Sequence, residues 1–423
     1  MMRTVRTRVI IFFLISFSLT VFAGCGGGGG GGSTYSAPSS SGGSGGLSSG
    51  TNGALGANVI KISVGGNTGI AGSYDNEPLV SVTVCVPGST NCQTINDILL
   101  DTGSYGLRVF KKALNLSLSA ENTSTGQLAE CQQYADGSAD WGPIEMADVA
   151  LGNETAPDVP IQVIDSNYPG SANCQGNLDE SPSVDGYNGI LGIGPFQQDC
   201  GPDCTSLSNL SMFSQWPYWS CNSGTCTSAQ VSLADQVQNP ITRLPKDNNG
   251  FLINLPSVPQ GAGTASVRGS LVLGIGTESN NTPSLVTTIL LSDTGDFSTV
   301  MADGISRVGF IDTGSNGLFF PQISNNLPIC NDNPQWYCPQ TSFTNTAAQE
   351  QENTGRPLAQ VTFTIGNNDS LMATGNGALN IGGPSPGSFD WGLPFYFGRT
   401  VYMGIDGIKS SLSPQGDGPY FAY

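Results

Sequence analysis

The chain contains no histidine. That absence removes Ser-His-Asp and Cys-His catalysis, and zinc held by imidazole. Any acid–base chemistry must come from carboxylates, tyrosine, lysine or cysteine. Basic residues are scarce as well: 14 Lys and Arg stand against 32 Asp and Glu, a net charge of −18. Phosphate recognition needs clustered cations, so nucleic acid is not an expected partner. Lys and Glu are sparse, while Gly, Ser, Thr, Asn and Val are plentiful, which suits an all-β protein with many turns. A length of 423 residues is enough for two lobes with real cores.

The N-terminus reads as an export signal over residues 1–24. Arg3, Arg6 and Arg8 precede the apolar run Val9 to Phe22, and Val21-Phe22-Ala23-Gly24-Cys25 ends in small residues before a cysteine. The run is short for a membrane span. The pattern resembles a bacterial lipoprotein box, with Cys25 as the lipidated residue. Cysteine parity agrees: of 11 cysteines, setting Cys25 aside leaves an even number for disulfides in an oxidising compartment. Residues 25–57 then form the lipidated cysteine and an uncharged Gly/Ser-rich tether, long enough to hold a folded body off a membrane.

The remaining cysteines suggest local staples. Cys85 and Cys92 flank a turn; Cys200 with Cys204, Cys221 with Cys226, and Cys330 with Cys338 are closely spaced; Cys131 and Cys174 complete the disulfide candidates. Such spacing also suits a thiolate metal site, but export favours disulfides, and no metal is expected.

One stretch occurs twice. Ile98-Leu99-Leu100-Asp101-Thr102-Gly103-Ser104 is answered by Gly309-Phe310-Ile311-Asp312-Thr313-Gly314-Ser315, and the match runs on to Leu107 and Leu318. Each copy is an apolar run, read as a buried strand, ending on one carboxylate and a tight turn. Two copies in one frame predict two similar lobes, each giving one Asp to a shared centre. A two-carboxylate glycosidase would explain paired acids but not the repeated Thr-Gly-Ser frame.

These residues resemble the pepsin-like aspartic peptidases, which implies an all-β, bilobal fold with a central cleft. The resemblance implies that Asp101 and Asp312 are catalytic, that Thr102 and Thr313 cross-link the two turns, that Gly103 and Gly314 bring N–H groups to the carboxylates, and that Ser104 and Ser315 hydrogen-bond their outer oxygens. It makes Tyr134-Ala135-Asp136-Gly137-Ser138 the tip of a substrate-binding flap, with Tyr134, Gly137 and Ser138 in contact with a ligand. Ile190-Leu191-Gly192 matches the apolar-apolar-Gly strand that packs beside the first Asp turn. The second such element departs from the family, since Asp390-Trp391 precedes Gly392. The family's Trp seven positions after the first Asp is Arg108 here, with Trp141 a substitute for its support of the flap tyrosine. The basic prosegment of eukaryotic members has no counterpart.

By this reading, 58–277 is the N-terminal lobe, with a Cys-rich insertion at about 196–262, and 278–423 is the C-terminal lobe. Trp216, Tyr218 and Trp219 in the insertion suit a small core better than a binding surface. The chain also resembles a group of bacterial lipoproteins of unknown function. The expected protein is a monomeric, envelope-anchored endopeptidase without a cofactor, acting on a peptide or protein substrate. A catalytically silent peptide-binding protein on the same fold is the alternative.

Overall fold

The computed structural model describes residues 56–65, 69–323, 327–351, 357–412 and 418–423. Cys25, the export signal and nearly all of the tether lie outside the described residues. Among the described residues no helix is long and apolar enough to cross a membrane. The chain is all-β, built mainly of antiparallel strands.

Alternation sets the first body. In Pro78–Cys85, Val80, Val82 and Val84 point inward while Ser81 is exposed, the period-two pattern of a half-buried strand. It pairs with Cys92–Asp101 and Ser138–Leu151. Ile98, Leu100, Leu107 and Leu191 fill the core between them.

The second body is a seven-stranded sheet running from Phe297–Val300 to Ser388–Trp391 in sequence. Its core is aromatic: Phe389 stacks on Trp391 with centroids 4.0 Å apart, and on Phe320 at 5.2 Å.

Six antiparallel strands drawn from both expected lobes continue the first body's sheet, through the pairing of Val59–Gly65 with Pro78–Cys85. Val59–Gly65, Ser266–Leu273 and Gly250–Leu255 come from the first of the two expected lobes, residues 58–277. Arg399–Gly404, Tyr420–Ala422 and Thr288–Leu290 come from the second. The central seam pairs Gly250–Leu255 with Arg399–Gly404. Gly250–Leu255 had been expected inside the insertion; its apolar residues instead belong to this sheet, so the insertion ends before it.

The Cys-rich segment extends the hairpin formed by Gln127–Gln133 and Ser138–Leu151. Tyr218–Asn222 pairs on one side with Thr225–Ser228 and on the other with Gln127–Gln133, which pairs in turn with Ser138–Leu151. Disulfides Cys131–Cys174, Cys200–Cys204 and Cys221–Cys226 staple this region, and Cys85–Cys92 and Cys330–Cys338 close turns elsewhere. Trp216 and Tyr218 are buried in a small core with Cys204 and Val237.

Candidate active site

Each Asp turn is fixed by a strand crossing. Gly189–Ile193 runs parallel to the strand ending at Asp101, with Gly192 opposite Asp101, and antiparallel to Tyr105–Phe110. Ser388–Trp391 does the same in the second body, parallel to Ser306–Ile311 and antiparallel to Leu318–Phe320. Both crossings end on a glycine forced by close approach. A Cβ on Gly192 would lie 2.6 Å from the Tyr105 nitrogen, and one on Gly392 would lie 2.0 Å from the Gly317 oxygen. The second crossing therefore forms despite Asp390 and Trp391 in its apolar positions.

The crossings bring Asp101 and Asp312 together, and the two carboxyls share a hydrogen bond. Each Asp is then held by its own turn. The Gly103 N–H donates to Asp101 Oδ1 and the Gly314 N–H to Asp312 Oδ1, both at 2.7 Å. The Ser104 hydroxyl donates to Asp101 Oδ2, and the Ser315 hydroxyl to Asp312 Oδ2 at 2.8 Å. Gly103 lies against the opposite aspartate: a Cβ there would sit 2.7 Å from the Asp312 carboxyl carbon. Thr102 and Thr313 cross-link the turns, each backbone N–H donating to the other's hydroxyl. The expected constellation of eight residues is thus brought to one place.

Burial and charge set the protonation of the pair. Asp101 and Asp312 are fully buried. Desolvation raises both carboxyls above the usual range, because burial penalises the charged form. For Asp101 the hydrogen bonds from Asp312, Ser104 and Gly103 work against that rise. For Asp312 the charges of Asp101 and Asp390 add to it. Both carboxyls are therefore pushed toward holding a proton, and the like charges beside Asp312 oppose a second charge on the pair. Two crowded carboxylates holding one proton are the behaviour expected of such a dyad.

Arg108 does not point into the pair. It is fully buried, and its Nη2 meets Glu130 at 2.7 Å and Asp199 at 3.1 Å. Burial works against its charge, but Glu130, Tyr134 and Asp199 outweigh that effect. Its influence on Asp101 is the last of the causes acting there. Glu130 lies in the strand Gln127–Gln133 and Asp199 in the Cys-rich segment, so Arg108 ties both to the strand that follows the first Asp turn. The Tyr218 hydroxyl also donates to Asp199, at 2.7 Å.

Tyr134 closes the hairpin between Gln127–Gln133 and Ser138–Leu151, with its N–H donating to the Ser138 oxygen at 2.9 Å. Its ring is buried with Leu99, Phe110 and Ile190, and its hydroxyl donates to Asp140 at 2.7 Å. Gly137 takes the left-handed φ of +85° that the turn requires, and the Ser138 hydroxyl donates to Asp136. Trp141 gives Tyr134 no support: it packs among Ala129, Cys131 and Cys174, and its Nε1 donates to the Tyr168 oxygen. Asp140 holds the tyrosine instead.

Three residues beside the pair escaped sequence reasoning as site residues. Tyr396 meets the Thr102 hydroxyl at 3.0 Å. Asn76 clips the first body to the second, donating to the Asn316 and Leu379 oxygens, each at 2.7 Å. Asp390 is a third buried carboxyl, raised well above its usual range by desolvation. Its signal is visible in sequence, as the one acid in Phe389-Asp390-Trp391-Gly392-Leu393-Pro394-Phe395. Among the described residues, the only cluster with metal-ligand spacing is Cys330, Cys338 and Asp369, and its two cysteines are joined in a disulfide.

The fold and site together define an all-β protein with two aspartates paired across duplicated Asp-Thr-Gly-Ser turns. The chain belongs to a family described as proteins of unknown function, DUF3443, whose pattern matches residues 54–423. Comparison with curated proteins finds no significant match.

Proposed function

We propose that the protein is an aspartic endopeptidase of the bacterial envelope, anchored by lipid at Cys25. The observation that carries this reading is that the duplicated turns bring Asp101 and Asp312 together, both buried and each held by a matching Gly N–H and Ser hydroxyl. A water bound between them loses a proton to ionised Asp101 as it attacks a peptide carbonyl. Protonated Asp312 donates to the carbonyl oxygen as the tetrahedral intermediate forms. The pair then supplies the proton that the leaving nitrogen needs. Neither imidazole nor a cofactor enters any of these steps.

Burial of both carboxyls means that a substrate reaches them only after a surrounding segment moves. The same burial, with a flap braced by the stapled insertion, favours a second reading: a peptide-binding protein that no longer turns over. Incubating the exported chain with denatured protein from about pH 3 to about pH 7, with and without pepstatin, separates the two. Fragments that vanish with pepstatin are the expected result. No fragments at any pH would leave the binding protein.

A further inference from the structure

Asp390 is fully buried, and neither of its carboxyl oxygens completes a hydrogen bond. A buried carboxyl without a partner is costly, and the fold shows what packing alone would place there. Ile190 pairs with Leu99, just ahead of Asp101, and lies opposite Arg108. Asp390 pairs with Phe310, just ahead of Asp312, and lies opposite Phe319. The two positions are equivalent in the two crossings, and the first body fills its copy with an apolar side chain.

The surroundings of Asp390 point to the dyad. It faces the Ser315 side chain, whose hydroxyl donates to Asp312 Oδ2 at 2.8 Å. The titratable groups that act with it are Asp101, Asp312 and the phenol of Tyr396. The strands on either side, Ser306–Ile311 and Leu318–Phe320, meet it with Phe310 and Phe319. Among the described residues, no cation is a cause of its shift. The three carboxyls do not converge closely enough to share one metal ion.

We propose that Asp390 is a positioning carboxyl which, through Ser315 and through its own charge, holds the shared proton on Asp312 as pH rises. It thereby widens the pH range over which the Asp101–Asp312 pair carries one proton. At low pH Asp390 is neutral and has little effect. As it ionises, its negative charge opposes a second charge on Asp312, and the proton there is retained. The consequence for catalysis rests on the peptidase reading; the retention of the proton does not.

Two measurements on the exported chain test this. Carbon NMR of labelled aspartate carboxyls follows the titration of Asp312, assigned by its loss in Asp312→Asn. Peptide hydrolysis is followed across the same pH range. Asp390→Ile copies the first body, and Asp390→Asn keeps the shape of the carboxyl. In both variants Asp312 should titrate about one pH unit lower, and the alkaline limb of hydrolysis should move down with it, with KM little changed. An Asp312 titration that stays in place in both variants overturns the proposal, whether or not the protein cleaves peptides. A lowered titration without hydrolysis at any pH supports the proposal and removes only the peptidase reading. Should Asp390→Ile fail to fold, Asp390→Asn decides.

Discussion

Thr102 and Thr313 hold one another reciprocally. Each backbone N–H donates to the other's hydroxyl at 3.0 Å, and each hydroxyl donates onward across the pair, Thr102 to the Ile311 oxygen and Thr313 to the Leu100 oxygen. All of these groups are buried, so none has water as a substitute partner. Thr313→Ala should cost about 1–3 kcal/mol, because it strands the Thr102 N–H and the Leu100 oxygen. Thr313→Ser should recover most of that. Denaturant unfolding of the two variants checks the order; equal losses would show that the methyl group, not the hydroxyl, is the larger contribution.

Asp101→Asn and Asp312→Asn should each abolish peptide hydrolysis, since either leaves the water with one competent carboxyl. The double variant should be no worse than either single one, because the pair acts as a unit. Measured turnover in either single variant would exclude the shared-proton mechanism.

Stability should fall as pH rises. Burial lifts Asp312 and Asp390 above the ordinary carboxyl value of 3.8, so the folded state binds protons that the unfolded state has released. The penalty is absent below about pH 4 and grows as pH passes through the raised folded values. Asp75, lifted to about 6 by burial, adds a loss over the lower part of that range. Asp312→Asn should therefore gain stability over the wild type at pH 8 and little at pH 4. Thermal melts at the two pH values test the sign, and an equal effect at both would contradict it.

Arg108→Trp would restore the residue that the pepsin-like resemblance leads one to expect, yet it should destabilise the chain. It leaves Glu130 and Asp199 buried without their cation, a loss of about 3–5 kcal/mol when one partner of a buried ion pair is removed. Arg108→Leu combined with Glu130→Leu should be closer to wild type than Arg108→Leu alone. Urea denaturation of the three variants resolves this.

The disulfides should differ in worth. Cys131 and Cys174 are 43 residues apart, and closing that loop restricts the unfolded chain by about 4 kcal/mol in the entropic account; the 4-residue Cys200–Cys204 loop gives about 2 kcal/mol. Paired Cys→Ser variants of each, compared by unfolding under oxidising conditions, should keep that order.

What the sequence determined was local. A repeated apolar run ending in Asp-Thr-Gly-Ser identified both carboxylates, because a strand, its terminal acid and its turn are encoded within a few residues. The Cys85–Cys92, Cys200–Cys204, Cys221–Cys226 and Cys330–Cys338 staples were legible for the same reason. Tertiary structure alone decided what each group experiences. Arg108 finds Glu130 22 residues away and Asp199 91 residues away, so its charge is consumed inside the first body. The raised proton affinity of the pair depends on the burial of Asp101 and Asp312 and on a third carboxyl, Asp390, brought beside them by strand register. Burial and register are properties of the assembled sheets: they turn an ordinary aspartate into one that holds its proton, and no spacing along the chain expresses that.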